Sequence, residues 1–491
     1  MKHFIATLTT ASLLCGLTVG TLSCGEADEP ADVTDVQSSD STTEASQLEV
    51  KDFGGYNVRI LTRADTGTGT WFTLDVTAEE ENGDAINDAV FRRNQKIEED
   101  YDITIERISE EGADHVNLIT QSVLAGDDTY DLVLSYLQNL SSVASEGYLL
   151  DLNSLSSLDL SNPCWDVVGN SCLEVNGKMY FAMGDINITD NDATYSTLFN
   201  KEIIAEFPDM PDLYELVEEG SWTLDKLKEY SIMVTSDVDG NGQMEWDTDR
   251  YGLISQYEVG VAMLLGSGQK TVDIGSDGFL RYNLNNENII EGFELIYDFF
   301  ADQSYQLIAD APAYSSVTDL WNTLARGGFK AGRALFYIGP TANVRLIRDM
   351  EADFGILPVP KLTEDQDKYY SMLQAGNATA YSIPTTATDP ERTALILEAL
   401  CEGSTDTLLP AYYETTLIRK ASRDNESADM LDLIFENRII DFSNAFLSIG
   451  INSFLINTLK SASNTFTSSE ASQRGTFEDN IAKINEAFSS Q

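Results

Sequence analysis

The stretch Tyr101–Leu137, YDITIERISEEGADHVNLITQSVLAGDDTYDLVLSYL, has the order of elements that determines the fold class. YDITIERI (101–108) predicts a strand, and NLITQSVLAG (117–126) predicts a helix that stops at Gly126. YDLVLSYL (130–137) is a short apolar run, typical of a buried strand. This alternation of strand and helix predicts a mostly parallel α/β sheet.

The segments on either side of this stretch continue the alternation. YNVRILTR (56–63) predicts a first strand, and AINDAVFRRNQKIEEDY (85–101) predicts a helix. GKMYFAM (177–183) predicts a hairpin strand, and YSTLFNKEII (195–204) predicts a strand that leads into a helix, where a second α/β region begins. Further predicted elements are helices at 221–235, 287–303 and 389–403, strands at 332–340 and 353–360, and a helical C-terminal end.

The N-terminal residues 1–23 predict an export signal. Lys2 precedes a mostly apolar or small stretch that is too short to span a bilayer comfortably. The stretch ends at TLSCG and resembles a bacterial lipobox, in which Cys24 would receive the lipid, although Thr21 stands where Leu, Val or Ile is usual. Lipidation of Cys24 is therefore the expectation, and plain secretion with cleavage nearby is the alternative.

Residues 24–52 predict a disordered acidic tether, because they carry many Asp, Glu, Ser and Thr and almost no large apolar side chain. A lipid anchor followed by such a tether would place the folded part at the extracellular face of the cell membrane. The anchor would be its only contact with the bilayer.

Length and charge limit the classes of function. With 491 residues, of which 42% are hydrophobic, the chain predicts two or three folded domains. Its formal net charge of −51 would repel nucleic acid, so no nucleic-acid partner is expected. A strongly anionic ligand would need a local cluster of Arg or Lys.

Few residues are available for nucleophilic or zinc chemistry. His115 is the one histidine outside the signal, so no Ser–His–Asp triad, Cys–His pair or multi-histidine zinc site is easily built. Cys164 and Cys172 could form a small disulfide loop or stay as unpaired buried thiols, and Cys401 is predicted to lie in the core. A glycosidase would need only two carboxylates, so counting does not exclude it.

Five segments, taken in order, resemble bacterial extracellular solute-binding proteins of the ABC-transporter type, in their sugar-binding branch. The similarity extends over most of the chain from about residue 53 onward. The segments are YDLVLSYLQNLSSVASEGYLLDLNSL, GKMYFAM with YSTLFNKEII, SWTLDKLKEY with DRYGLISQY, FKAGRALFYIGP and DFGILPVPK.

The resemblance implies an α/β, two-lobed periplasmic-binding-protein-like fold with hinge crossings and a ligand cleft between the lobes. One lobe would comprise 53–185 and 370–415, and the other 186–369 and 416–491. The protein would be a monomer without enzymatic activity. It would capture a carbohydrate, most naturally an oligosaccharide, and deliver it to an ABC-type permease.

Neutral sugars are bound by aromatic rings and planar polar side chains, which the family places in loops after strands and at the crossings. Core packing is the alternative role for Trp321 and Tyr337, and a solvated loop is the alternative for Asp190 and Asp192. The candidate ligand-binding residues are Trp71, Tyr136, Asp190, Asp192, Trp321, Tyr337 and Asn377.

The acidic stretch DVDGNGQMEWDTD (237–249) has nearly the spacing of a calcium loop. Calcium takes about six to eight oxygen ligands, and alternate residues of a tight loop can point inward together. Thr248, at the usual twelfth position, cannot supply a bidentate carboxylate, but in similar solute-binding proteins an acid just before the Tyr-Gly strand closes the loop. Asp249 has that place here. The predicted ligands are Asp237, Asp239, Asn241, Gln243, Glu245 and Asp249, and the alternative is an ordinary acidic Asn-Gly turn.

The flanks of this loop indicate a structural ion. A helix is predicted before it at 221–235, and YGLISQY (251–257) after it predicts a strand. A sensor EF-hand has a helix on both sides, and these helices open together. An ion here would instead clip a helix to a strand and stabilise one lobe.

Three other functions remain open from the sequence. A surface-anchored carbohydrate-active enzyme would need two acids facing across a cleft. The same fold could bind a peptide or an organic anion, for which Arg63 or Arg333 could supply the cation. A surface adhesin or sensor module would not close on small ligands.

Overall fold

The structure, a computed structural model, describes residues 48–63, 71, 75–109, 114–417 and 426–490, and the two sheets below belong to one unit, Leu48–Gln491. The predicted signal, Cys24 and residues 24–47 of the tether lie outside the described residues. Among the residues that are described, no helix is both long enough and apolar enough to cross a bilayer.

The fold is a mixed α/β structure, as the sequence predicts. Its strands are β1 Tyr56–Leu61, β2 Ile103–Ile108, β3 Leu132–Tyr136, β4 Tyr195–Asn200, β5 Tyr251–Ser255, β6 Val272–Ile274, β7 Leu280–Tyr282, β8 Gln306–Ile308, β9 Ala334–Pro340, β10 Phe354–Leu357, β11 Ser371–Met372, β12 Thr379–Ser382 and β13 Arg438–Ile439.

Helices connect and cover these strands. They are α1 Ala85–Tyr101, α2 His115–Ala125, α3 Leu137–Ser145, α4 Val167–Ser171, α5 Thr189–Ala193, α6 Lys201–Ala205, α7 Leu213–Glu218, α8 Leu224–Val234, α9 Tyr257–Gly266, α10 Glu287–Ala301, α11 Arg326–Lys330, α12 Ala342–Leu346, α13 Pro390–Thr405, α14 Leu408–Leu417, α15 Glu426–Glu436, α16 Phe442–Ala445, α17 Ile451–Leu459 and α18 Phe466–Ser490. Short 3₁₀ turns lie at Leu152–Ser154, Pro312–Tyr314 and Leu447–Ile449, and a π-helical turn lies at Trp321–Ala325.

The first sheet has the strand order β12-β3-β1-β2. Strand β1 pairs in parallel with β2 and β3, which confirms the parallel arrangement predicted from 101–137. The intervening helix α2 starts at an Asp114 cap and ends at Gly126, whose φ of 69° a glycine adopts without strain. Strand β12 comes from much later in the chain and pairs antiparallel with β3.

The second sheet has the order β10-β4-β9-β5-β8. Strand β5 is parallel to β8 and β9, whereas β4 is antiparallel to β9 and β10. Trp222 is fully buried beside this sheet, where its ring lies 5.4 Å from that of Phe336 and its indole N–H donates to the Pro358 carbonyl at 3.1 Å. Trp222 therefore belongs to the core beside the second sheet.

The chain passes between the two sheets three times, after β3, after β10 and after α14. The third crossing follows from the helix contacts, since α14 packs on α1 and α15 packs on β10. Three segments then lie side by side: Thr194, Ser371–Leu373 and Asn437–Ile439. We call them the hinge strip. Strands β11 and β13 pair in parallel, and Thr194 forms an antiparallel bridge with Leu373. The predicted lobe boundaries themselves remain a prediction.

Two predicted segments differ from the structure. GKMYFAM (177–183) is not a hairpin strand but makes isolated bridges, because its backbone bonds to several different partners: Ala182 pairs with Tyr381, and the Asn170 amide bonds the N–H and the C=O of Met183 at 2.9 Å. The predicted loop at 185–192 contains the short buried helix α5.

All three cysteines within the described residues are free thiols, so no disulfide joins Cys164 and Cys172. The Cys401 thiol donates instead to the Cys164 carbonyl at 3.0 Å, and Cys172 lies 3.0 Å from the Lys270 ammonium. The sequence left the disulfide open, and the structure has the other alternative of unpaired buried thiols.

Candidate functional site

The candidate site lies where strands of the two sheets end. Ligands of open α/β sheets bind outside the carboxyl ends of parallel strands. Here those ends are Leu61 and Tyr136 in the first sheet and Ser255 and Pro340 in the second. The second chain crossing passes between the sheets with Gln374 to Asn377.

An arginine joins two of the predicted aromatic residues on the first-sheet side. The Arg63 guanidinium lies 3.9 Å from the centre of the Tyr136 ring and also donates to the Trp71 carbonyl. Burial lowers the pKa of Arg63, but a guanidinium stays charged at neutral pH. Trp71 and Tyr136 are both partly exposed. The structure therefore brings Trp71 and Tyr136 together around one stacked cation.

The histidine behind Tyr136 has a structural position. His115 is buried, its Nδ1 lies 2.9 Å from the Ser135 hydroxyl, and Asn139 donates to the same hydroxyl at 3.2 Å. Burial, and then the Arg63 charge, lowers the pKa of His115, so the ring is neutral at pH 7. Because Ser135 is fully buried, this pair is not placed to attack a substrate.

A chain of polar side chains runs from the second sheet to the hinge. We call Tyr195, Gln256, Glu258, Gln374 and Asn377 the Glu258 cluster. Gln256 donates to the Tyr195 hydroxyl at 2.7 Å, and this hydroxyl donates to Glu258 at 3.2 Å. Gln374 donates to the same carboxylate oxygen, and Asn377 donates to Gln374. The predicted residue Asn377 is thus one end of a continuous polar network.

Burial and neighbouring charges shift the pKa values of Glu258 and Tyr195 in this cluster. Burial raises the pKa of Glu258, while the bonds from Tyr195 and Gln374 act in the opposite direction. Burial and the Glu258 charge hold the pKa of Tyr195 well above its usual value, so its hydroxyl remains a donor. The partly exposed amides and the carboxylate of this network can bond several hydroxyl groups of one ligand, while the fully buried Tyr195 holds the carboxylate in place.

Sequence reasoning missed four members of the cluster, although a signal for three of them exists. Gln256 and Glu258 directly follow β5, at a strand end where the ligand rule applies. Gln374 is in the same QAGNA loop as Asn377. Tyr195 begins an antiparallel strand, so only the sheet topology shows that its side chain lies at the same edge.

The predicted acids of the first crossing are used inside the protein. Asp190 lies 3.2 Å from the Arg438 guanidinium. Asp192 accepts from Arg345 and, at 3.2 Å, from the Tyr412 hydroxyl. Both carboxylates are about 2% exposed and hold the crossing in place. Neither presents an open carboxylate to a ligand in this structure.

The remaining candidates differ from one another in how far their side chains are exposed. Tyr337 is 5% exposed, its ring lies 5.8 Å from that of Phe329, and burial raises its pKa to about 12. Trp321 is 38% exposed on the π-helical turn, so its ring is accessible. Arg333 stands before β9, and its carbonyl accepts from the Tyr251 N–H, which places it at the opposite sheet edge from Pro340.

The acidic loop 237–249 folds around its own carboxylates. Asp237 accepts from the backbone N–H groups of Gly240 and Gly242 at 2.8 and 2.7 Å. Asp249, which is fully buried, accepts from the N–H groups of Val238 and Glu245 at 2.8 and 2.7 Å. The bonds to Asp249 pull the two ends of the loop together.

This loop offers a donor set of the kind that calcium prefers. Carboxylate oxygens of Asp237, Asp239 and Asp249 lie within 4.8 Å of one another. Asn241 donates to Asp239 and to Glu245, both at 3.0 Å, so these three side chains converge at one place in the loop. Helix α8 precedes the loop and β5 follows it, as predicted. The exposed Gln243 can contribute its backbone carbonyl, and the oxygens present fit a hard divalent cation.

Comparisons with known proteins identify the fold. Nothing matches this chain among protein families or curated proteins. A cyclo/maltodextrin-binding protein complexed with maltotetraose is 14% identical over 88% of this chain and 96% of its own, with a TM-score of 0.56. An ABC substrate-binding protein from Listeria monocytogenes in complex with cycloalternan is 12% identical over 89% and 99%, with a TM-score of 0.54. The GacH receptor of Streptomyces glaucescens is 12% identical over 88% and 97%, with a TM-score of 0.52. The chain has the two-lobed α/β fold of these binding proteins.

Proposed function

We propose that this protein is an extracellular solute-binding protein that captures a carbohydrate, most naturally an oligosaccharide, between its lobes and delivers it to an ABC-type permease. The Glu258 cluster carries this proposal, because it links the second sheet to the hinge through side chains suited to hydroxyl groups. The structures of similar fold add support, since two of those named above were solved as binding proteins with maltotetraose or cycloalternan.

The chemistry of the site favours a neutral sugar over an anion. Glu258 supplies a carboxylate acceptor, and Gln256 and Gln374 supply planar amides. On the other side, Tyr136 offers an aromatic face against which the apolar C–H surface of a sugar can pack. The strongly negative chain would repel an anionic ligand, although Arg63, stacked on Tyr136, supplies one cation at the site.

We propose binding without turnover. A glycosidase needs one protonated and one ionised carboxyl group on either side of the scissile bond. Glu258 is bonded by Tyr195 and Gln374, and the second acid of this edge, Asp310, accepts from the Tyr257 N–H at 2.9 Å and lies 3.3 Å from Lys460. Both carboxylates are thus already engaged in bonds within the protein, which supports binding rather than turnover.

The proposed location is the extracellular face of the membrane, with a lipid on Cys24 as the anchor and the monomer as the functional unit. The lipobox-like stretch and the polar tether support this proposal. In cells expressing the full chain, Cys24→Ser should move the protein from the membrane fraction to the medium or periplasm. Recovery of both forms in the membrane fraction would contradict lipid anchoring.

We also propose a structural calcium ion in the acidic loop, held by Asp237, Asp239, Asn241, the Gln243 carbonyl, Glu245 and Asp249. The ion would offset most of the charge of the three clustered carboxylates and fix α8 to β5. The Gly242 N–H, with other backbone donors, lowers the pKa of Asp237, so its carboxylate is ionised and ready for a cation at neutral pH.

A thermal-shift screen tests the ligand class. The chain is mixed with neutral oligosaccharides, acidic oligosaccharides, peptides and organic anions, in calcium-containing buffer. We expect stabilisation by one or more neutral oligosaccharides and a weaker response in Tyr136→Ala and Glu258→Gln, but not in the surface control Glu229→Gln. Stabilisation only by peptides or anions would overturn the sugar assignment, and turnover of a glycan would overturn binding without catalysis.

A further inference from the structure

Arg438 connects the three segments of the hinge strip, partly through its side chain and partly through the backbone pairing of its strand. Arg438 lies on β13, whose backbone pairs with β11, and its Nε donates to the Thr194 hydroxyl at 3.0 Å. It is 5% exposed. A change in the bonds of Arg438 therefore acts on all three segments about which the lobes must turn.

The Arg438 guanidinium also reaches outside the strip. It donates to Asp166 at 2.6 Å, to Asp190 at 3.2 Å and to the side-chain oxygen of Asn191. Asp190 and Asn191 lie on α5 in the first crossing, whereas Asp166 precedes α4 beside the first sheet. The guanidinium thus bridges the first-sheet region, the first crossing and β13.

The charges of this cluster do not balance. We call Asp166, Asp185, Asp190 and Arg438 the Arg438 cluster. Asp185 interacts electrostatically with Asp166 and Arg438, and accepts from the Thr405 hydroxyl at 2.6 Å. Three carboxyl groups therefore face one guanidinium. Burying two uncompensated negative charges is costly, and protonation of one carboxyl group reduces that cost.

We propose that the hinge is a proton-dependent clasp, in which one proton held between Asp185 and Asp190 allows Arg438 to hold the three hinge segments together. When the proton leaves, the carboxylates repel one another across the contact between α5 and β13. The hinge strip then opens more easily, so bending of the lobes becomes sensitive to pH.

The acids of the cluster titrate in the range that this mechanism needs. Burial is the main reason that the pKa of Asp190 is raised to about 7. The Arg438 charge lowers this pKa and the Asp166 charge raises it, and both effects are included in that value. Burial raises the pKa of Asp185 to about 6. These two groups can therefore exchange a proton between pH 5 and 8, where ordinary aspartates stay ionised.

The other titratable groups around the cluster do not change charge in this range. Burial raises the pKa of Cys401, Tyr412 and Tyr413, which face Asp185 or Arg438, so all three stay neutral. The neighbouring Arg345 stays charged, because Asp192 raises its pKa. The pH response is thus assigned to the Arg438 cluster.

The sign of the effect on stability follows from linkage. An acid whose pKa is higher in the folded state binds its proton more tightly there, so the fold loses stability as pH rises between the unfolded and folded values. For Asp190 this window extends from about pH 4 to about 7. Each retained proton makes the unfolding constant rise by up to about tenfold per pH unit.

Urea unfolding of the folded chain from pH 5 to 8, at constant calcium and without ligand, tests the clasp. Asp190→Asn and Asp185→Asn keep the shape of the side chain but remove its titration, and Glu229→Gln is the exposed control. We expect the unfolding constant of the wild type and of Glu229→Gln to rise more steeply with pH than that of either hinge variant. Identical slopes in all four proteins would overturn the proposal.

A local measurement separates hinge loosening from a general loss of stability. The N–H groups of Ser371 and Leu373 donate to the Asn437 and Ile439 carbonyls at 3.1 and 3.0 Å. After correction for chemical exchange, we expect their hydrogen exchange to be at least threefold faster at pH 8 than at pH 6 in the wild type, and unchanged in Asp190→Asn. Equal acceleration in both proteins would contradict the clasp, and if Asp190→Asn does not fold, Asp185→Asn gives the same readout.

Discussion

Replacing Asp249 by Asn should destabilise the protein by about 2–4 kcal/mol in the absence of calcium. The carboxylate is fully buried and accepts two backbone N–H groups at 2.8 and 2.7 Å. An asparagine keeps one acceptor oxygen and turns an amide NH₂ toward the second N–H. A hydrogen bond to a charged group contributes about 1.5–3 kcal/mol, and an unsatisfied buried donor costs about 1–3 kcal/mol.

Calcium should add to this difference. An ion that binds only the folded state at about one hundred times its dissociation constant stabilises by about 2.7 kcal/mol. Since Asp249 is both a loop-closing acceptor and a predicted ligand, Asp249→Asn should lose most of the calcium response as well as the bond. Urea unfolding in millimolar calcium and in excess chelator measures the two contributions separately.

Asp247→Asn is the matched control, because Asp247 is an exposed acid of the same loop outside the group of clustered carboxylates. We expect it to change the unfolding free energy by less than about 0.5 kcal/mol and to keep the chelator response. If chelator leaves the wild type unchanged, the calcium proposal is wrong. If Asp249→Asn and Asp247→Asn have the same unfolding free energy in chelator, the two hydrogen bonds to Asp249 do not contribute as argued.

Three further predictions concern the folded core. Trp222→Ala removes a fully buried indole and should lower the unfolding free energy by about 3–5 kcal/mol in urea, and a loss below about 1 kcal/mol would contradict its core position. Arg345→Met leaves Asp192 buried without its cation and should cost about 3–5 kcal/mol, whereas the double variant with Asp192→Asn should recover part of this, and strict additivity would refute the pairing. Cys164 and Cys172 should both be protected from a thiol reagent in the folded protein and should both react with it once the protein is unfolded in the absence of reductant. Failure to react in the unfolded protein, with a mass lower by two hydrogen atoms than that of the free thiols, would reveal a disulfide instead.

The fold was largely predictable because its signals are local. The strand–helix–strand order of 101–137 and the apolar run at β3 correspond to the parallel pairing of β1, β2 and β3. The hairpin strand predicted at GKMYFAM is wrong because this segment bonds to groups outside it, such as the Asn170 side chain and Tyr381. The periodicity of a sequence does not reveal such partners.

The site was predictable only where a residue follows a strand. The strand-end rule singles out Tyr136, the last residue of β3, and the same rule could have found Glu258, whereas Asn377 lies in a chain crossing; the role of Tyr136 and Asn377 in binding stays a prediction. Asp190 and Asp192 are predicted as ligand-binding residues from their place at the first crossing, and their partners Arg438 and Arg345 lie too far away in the chain for the sequence to show the pairing. Pairing of this kind depends on tertiary structure and leaves no spacing signal.

Tyr337 shows a second limit of sequence reasoning. Every residue from Ala334 to Gly339 in β9 is buried, so the strand lacks the alternation that tells one face from the other. The tyrosine could be assigned to the cleft or to the core on equal grounds, and the structure places it against Phe329.

Small-angle X-ray scattering of the chain with and without a saturating neutral oligosaccharide tests the central claim most directly. If a sugar bridges the lobes at the Glu258 cluster, the radius of gyration should decrease on binding, and the decrease should require a higher sugar concentration in Glu258→Gln than in Glu229→Gln. An unchanged radius with every oligosaccharide, together with contraction on a peptide or an organic anion, would contradict the account.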